Sequence, residues 1–245
     1  MGIPVQSLVV RGDPLETWRR CGGYYTCPKD SKGKRRGPLV GYAEMYDAGN
    51  GEKKQFVGEV YWSFARVEQY PEALDDFAEA LAEKVRYNRK PTLVLGAPMG
   101  GILLAGALGR ELGTRVIFAE KKVTAVETPD KREESNLLVA RHEIRPQYFV
   151  FIVEDVCNNF STTHALLKLI IQGRGMPIGI ACALNCSEKL YYLEALPVVS
   201  CIYRRTKQWR QNDPAVAEDI AHGNVVWKPK DQWHRLAVAM ERGIK

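Results

Sequence analysis

The 245-residue chain has no apolar run approaching the roughly 20 residues that a helix needs to span a bilayer; residues 149–153, among its longest, stop far short. Its opening, Met1-Gly2-Ile3-Pro4, lacks a basic stretch followed by an apolar core. No secretory leader is therefore expected, and the expected location is the cytoplasm, with no membrane partner. Zinc-type spacings are missing as well. Cys21 and Cys27 are separated by five residues and Cys182 and Cys186 by three, while His142, His164, His222 and His234 form no paired ligand motif. The six cysteines read as reduced, mostly buried thiols. Repeats and low-complexity segments are absent. Excess charge is small: 35 Lys and Arg against 29 Asp and Glu leave a formal +6, which suits an anionic ligand but does not imply nucleic acid. The densest basic stretch, residues 29–36 (KDSKGKRR), reads as a solvated loop.

What is present is an α/β pattern. Residues 1–70 are irregular and rich in Gly and aromatics, with turns at Cys21-Gly22-Gly23 and Ala48-Gly49-Asn50-Gly51. They read as a small accessory, hood-like region in which residues 55–66 form a strand. Residues 71–245 read as the main domain with a helical tail. Pro71 suits a helix start, and Leu74, Phe77, Ala78, Leu81 and Val85 follow at helical spacing. A strand at 92–95, a turn at 96–101, a helix at 102–112 closed by Gly113 and a strand at 115–119 come next. A polar stretch, 124–136, interrupts the alternation. It resumes with a strand at 148–153, a helix at 162–172, strands at 178–184 and 198–203, and a helix near 233–240. Short apolar strands alternating with helices predict a central parallel sheet flanked by helices.

Such sheets place ligands beyond the carboxyl ends of their strands. There, the strand at 148–153 delivers Glu154 and Asp155, and the loop VCNNFSTT (156–163) opens a helix. The strand at 92–95 delivers Gly96-Ala97-Pro98-Met99-Gly100-Gly101. Adjacent carboxylates accept hydrogen bonds from paired sugar hydroxyls and support a magnesium ion through water. A Ser/Thr-rich loop at a helix N-terminus attracts phosphate. Together they describe a site for a phosphorylated sugar. Taken alone, the loop reads equally well as a turn former at Asp155 and a helix cap at Ser161.

The run FVFIVEDVCNNFSTT (149–163) resembles the phosphoribosyl pyrophosphate (PRPP) motif of type I phosphoribosyltransferases: apolar residues, two acids, an apolar residue, then a short phosphate loop. Orotate phosphoribosyltransferase is the nearest resemblance, over roughly residues 58–233. The resemblance implies that fold, a homodimer, and magnesium-dependent transfer of ribose 5-phosphate from PRPP to a nucleobase. It implies Glu154 and Asp155 on the ribose and, through water, on magnesium. Asn158, Asn159, Ser161, Thr162 and Thr163 would form the phosphate loop, and Met99, Gly100 and Gly101 the pyrophosphate loop. Lys121, from the segment 118–122, and Lys131 and Arg132, from a following polar stretch (127–135) that opens and closes as a lid, would meet pyrophosphate oxygens. Tyr61, Trp62 and Phe64, in an aromatic stretch resembling one near the base, and Cys186 would face the acceptor.

Three departures from the pattern matter: the phosphate loop, the pyrophosphate loop and the base position. Asn158 replaces a Thr, and Phe160 stands where Gly permits close backbone approach. Phe takes up positive φ at a cost, which predicts a loop of different shape. Met99-Gly100 replaces a lysine, and Cys186 replaces an arginine that pairs with orotate. The alternative is a non-catalytic or regulatory relative that binds PRPP or a nucleotide, with RNA as a further ligand.

Overall fold

The computed structural model describes residues 8–49, 51–86, 89–125 and 134–243. The first helix, α1 (Pro14–Arg20), is followed by strands β1 (Tyr24–Thr26), β2 (Leu39–Asp47), β3 (Lys53–Gly58) and β4 (Val60–Trp62). Then come α2 (Pro71–Arg86), β5 (Leu93–Gly96), α3 (Gly101–Leu112), β6 (Arg115–Phe118), β7 (Glu120–Ala125) and β8 (Glu134–Leu138). The remainder comprises β9 (Phe149–Cys157), α4 (Ser161–Gln172), β10 (Met176–Asn185), β11 (Tyr191–Tyr192), β12 (Leu196–Tyr203), α5 (Ala217–Ala221), β13 (Val225–Val226) and α6 (Trp233–Gly243).

Six strands form the main sheet in the order β11-β12-β10-β9-β5-β6. All neighbours in it pair in parallel except the edge strand β11, which runs antiparallel to β12. The expected sheet is therefore present. After β5 the chain first builds outward to β6 and then returns to place β9 on the other side of β5. That reversal makes the β5–β9 boundary the topological switch point, where a ligand crevice opens at the carboxyl ends.

Side chains alternate across each strand. Leu93, Leu95, Val150, Ile152 and Ile180 join Leu166, Leu167 and Ile170 of α4 in one buried cluster. Burying each such side chain contributes about 1.5–3 kcal/mol. The helix α3 packs on β5 and β9, and Gly109 lets it approach Val116, where a Cβ would collide with the valine. At its end Gly113 adopts φ 59°, as its place after the helix predicts.

The chain divides into two units, residues 1–22 with 64–205 and residues 23–63 with 206–245. This differs from the expected boundary at residue 70, for identifiable reasons. Trp18 of α1 is fully buried, edge-on to Phe64 and Phe77, so α1 belongs with the main sheet. The tail instead supplies β13, which pairs in parallel with β2 through Val225–Leu39 and Val226–Val40.

The second unit has a three-stranded sheet, β13-β2-β3, and the pair β1-β4. The strand expected over 55–66 is broken into β3, β4 and a 3-10 turn at Phe64–Arg66. The basic stretch in this unit is not simply solvated. Arg35 is largely buried and donates to Glu59 at 2.6 Å and Asp219 at 2.9 Å, while Lys29 lies 2.8 Å from Glu59. Among the described residues no helix is long and apolar enough to cross a membrane.

Candidate active site

Strand β9 does not end at Val153. Its ladder with β10 continues through Cys182–Glu154, Leu184–Val156 and Asn185–Cys157, so both acids lie on the strand itself. The next strand over, β5, stops earlier, its Gly96 opposite Val153. The turn Gly96–Gly101 begins there and runs over the acids. Ala97 N–H donates to the Val153 carbonyl at 2.8 Å, and Gly101 N–H donates to the Ala97 carbonyl at 3.0 Å. The Pro98–Met99 peptide is cis.

Two glycines make this approach possible. A Cβ on Gly101 would strike the Val153 carbonyl oxygen, and one on Gly100 would strike the Asp155 carboxylate. The loop backbone is thus in van der Waals contact with the acid that the sequence nominates. Met99 beside it is 77% exposed and brings no charge to the rim.

The two acids sit in different surroundings. Asp155 is partly exposed, whereas Glu154 is buried and accepts a hydrogen bond from Thr163 Oγ1 at 3.1 Å. Burial, reinforced by the charge of Asp155, pushes the Glu154 carboxyl up to about 8, against the opposing pull of the Thr163 bond and the Lys121 ammonium. Near neutral pH it is mostly protonated, a hydrogen-bonding group more than a charge. Lys121 itself is exposed on β7, paired across a hairpin with Leu137 of β8. Where a polar interruption of the alternation is expected, its two ends form these strands. Lys131 and Arg132 lie outside the described residues.

In the loop from Asn158 to Thr163, Phe160 takes up the positive φ expected to be costly for it. Phe160 takes φ 60° and ψ 21°, the left-handed conformation that a glycine adopts freely. For a phenylalanine this costs about 1–2 kcal/mol. Its ring is buried at 4% exposure, which offsets roughly 2 kcal/mol. The backbone therefore keeps a glycine-like turn into α4. Ser161 N–H is capped by Asn159 Oδ1 at 3.1 Å, and no side chain caps the helix from Phe160. Asn159 and Ser161 are exposed, Asn158 and Thr162 partly so. Thr163 differs from its expected role, since its hydroxyl is fully buried and directed to Glu154.

Cys186 follows β10 and is buried, its N–H donating to the Cys157 carbonyl at 2.8 Å. Neighbouring Asn185 and Ser187 bond each other at 2.6 Å. Phe64 departs from its expected place at the base. Its ring is 1% exposed, packed edge-on against Trp18 and Phe77 in the core, where no ligand reaches it. Tyr61 and Trp62 belong to the second unit, where Tyr61 lies beside Trp233 and Trp62 beside Tyr24. Tyr192, whose ring lies against Phe160, has no signal in the sequence: only the antiparallel turn at the sheet edge brings it there.

Residues 63–218 match the family profile of the phosphoribosyl transferase domain. The chain is 30% identical over 132 residues to an orotate phosphoribosyltransferase of Caldanaerobacter subterraneus, covering 53% of this chain and 63% of that protein. It is 28% identical over 131 residues to one from a Thermoanaerobacter species, with the same coverage of 53% and 63%. The aligned stretch thus spans less than two thirds of either relative. Among solved structures, it is similar to the adenine phosphoribosyltransferase of Rhodothermus marinus at 20% identity and a TM-score of 0.48, covering 65% of this chain and 93% of that one. With the matched segment spanning the acid pair, both loops and all six strands of the main sheet, the chain belongs to the phosphoribosyl transferase domain family and has its type I fold.

Proposed function

We propose that the protein transfers the ribose 5-phosphate group of PRPP to a ring nitrogen of a nucleobase, orotate or a related pyrimidine or heterocycle, and releases pyrophosphate. The observation that carries this reading is the contact of Gly100 with the Asp155 carboxylate. It puts a backbone loop suited to pyrophosphate beside an acid suited to ribose hydroxyls, next to a phosphate-loop turn. In the reaction the C1–O bond to pyrophosphate breaks, the oxygen keeping the electron pair. The base nitrogen forms the new bond to C1 and its proton passes to solvent. No protein nucleophile is needed; positioning, charge neutralisation and water exclusion carry the rate.

Asp155 accepts from the ribose hydroxyls, and Glu154, neutral and held by Thr163, bonds beside it. Backbone amides at Asn159, Ser161 and Thr162 and the side chains of Asn158, Asn159, Ser161 and Thr162 are assigned to the 5-phosphate. Lys121, with Lys131 and Arg132, is assigned to pyrophosphate, along with the backbone of Met99, Gly100 and Gly101. Among the described residues no cluster of three or more His, Cys, Asp or Glu side chains is placed to hold a metal. That donor set fits magnesium brought by the substrate oxygens and steadied through water by Asp155, with Glu154 behind it. When bound, the ion would spread the pyrophosphate charge.

The acceptor is argued from Cys186. A thiol makes no charged bidentate contact, which favours a neutral heterocycle over orotate. A homodimer is part of the proposal through the family. The exposed Met99, replacing a cation, favours a second reading, a regulatory protein that binds PRPP or a nucleotide without turnover.

Incubation with PRPP, magnesium and a panel of bases, following pyrophosphate and nucleotide, separates these. Turnover with at least one base is expected, and Asp155→Asn is expected to lower it roughly 100-fold or more with melting unchanged. No turnover with any base, despite a PRPP-induced rise in melting temperature, would support the regulatory reading. Failure to bind PRPP or any nucleoside monophosphate would sink both.

A further inference from the structure

The phosphate-loop turn is held from outside by a feature that the catalytic assignment does not use. Of the five non-glycine residues with positive φ among the described residues, three lie in two segments near this turn: Phe160 (φ 60°) at the loop, and Leu193 (φ 50°) with Glu194 (φ 58°) at the turn between β11 and β12. Such outliers persist only where their surroundings over-determine them. The turn folds β11 back along β12, with Tyr192 opposite Leu196. Tyr192 is 8% exposed, and its ring lies on that of Phe160, centroids 4.9 Å apart and planes 31° from parallel. Its hydroxyl lies 3.2 Å from Nδ1 of His164, in the first turn of α4. Tyr192 therefore touches both sides of the loop's entry into the helix.

We propose that Tyr192 is a positioning residue, clamping the Phe160 ring so that the loop keeps the left-handed turn its phosphate-binding amides require. The claim deepens the transferase reading and rests on it for the identity of the anion. The reasoning is conformational. A glycine at 160 would hold φ near 60° without assistance. Phenylalanine pulls the backbone toward negative φ, and the ring is the lever that opposes this. Stacking fixes the ring; the His164 contact fixes the stacking partner to the helix whose amides are being aimed.

The test compares wild type, Tyr192→Ala, Tyr192→Phe, Phe160→Gly and the Phe160→Gly/Tyr192→Ala double variant. Three measurements are made: affinity for ribose 5-phosphate by calorimetry, KM for PRPP with kcat, and hydrogen exchange of the amides at 161–163. Tyr192→Ala is expected to weaken ribose 5-phosphate binding roughly ten-fold, the scale of one lost aromatic pair. It is expected to raise KM with kcat nearly unchanged and to speed exchange. Tyr192→Phe, which keeps the ring but loses the contact with His164, should fall between wild type and Tyr192→Ala. Adding Tyr192→Ala to Phe160→Gly should have no further effect on binding or exchange, because glycine needs no clamp. An equal loss from Tyr192→Ala in both backgrounds would overturn the proposal, as would unchanged binding and exchange in the single variant. If wild type itself bound no ribose 5-phosphate, the transferase reading would fall. The clamp would then stand or fall on the exchange of the 161–163 amides alone.

Discussion

Burial next to a second acid moves Glu154 to about 8, and this one shift links the site to stability. The folded protein holds a proton on Glu154 that an unfolded chain, titrating near 4.5, has already released. Stability from this group is full below about 4.5, falls as pH rises, and levels off above about 8. The slope approaches 1.4 kcal/mol per pH unit for one proton. Glu154→Gln keeps the shape and the bond to Thr163 without the titration. Thermal melts of ligand-free protein between pH 5 and 9 should therefore show Glu154→Gln level with wild type at the acid end and clearly more stable near pH 8. Parallel curves would mean that Glu154 is charged in the folded state. The sequence announces this acid pair by its place after an apolar run, but not its division of labour. That division depends on Thr163, which lies nine positions along on the facing helix.

At the level of elements, apolar runs and punctuation make the sheet legible: Pro71 opens α2 and Gly113 closes α3 where expected. The failures have a common cause. Glu154 and Asp155 on β9, and the polar residues of β7 and β8, form ladders through backbone groups, which hydrophobicity does not report. Phe64 departs from its expected role because an aromatic near a motif carries no sign of which face it occupies; α1 and α2 claim it. The loop after β5 lies where expected, yet its closeness to β9 is visible only in space. That closeness predicts a contrast between two glycines of adjoining segments. Gly100→Ala puts a methyl group onto the Asp155 carboxylate, whereas a Cβ added at Gly106 in α3 would meet no atom within 4 Å. Turnover should fall at least roughly 100-fold in Gly100→Ala, the loss expected when a site is displaced by about an ångström. Gly106→Ala should keep full activity and gain about 0.5–1 kcal/mol of stability from helix propensity. Equal activity in the two variants would remove the loop from the site.

Over the whole molecule, the two units carry opposing electrostatic tendencies. The second unit joins two distant stretches of chain through β13–β2 pairing and through Arg35, which reaches Glu59, Asp219 and the Ala215 carbonyl. No local pattern signals this, because its partners lie up to 184 positions away. Burial alone would push the Glu59 carboxyl up, but hydrogen bonds from Lys29 and Arg35, with their charges, outweigh it and hold it below its ordinary 4.5. The sign is therefore opposite to that of Glu154: this contribution is present above about 4.5 and is lost as pH falls through the depressed value. Acid should loosen the second unit first, while a rise toward pH 8 should weaken the main sheet in the absence of ligand. Hydrogen exchange followed by segment distinguishes the two, with 39–47, 53–58 and 225–226 reporting one unit and 93–96, 149–157 and 176–185 the other. Arg35→Ala leaves Asp219 without its cation and takes one of two from Glu59, which keeps Lys29. It should cost about 2 kcal/mol, below the 3–5 kcal/mol of a fully buried pair because the network keeps some solvent contact. At neutral pH the variant should exchange faster in the first set of segments only. Faster exchange in both sets to the same extent would show that the two units unfold as one.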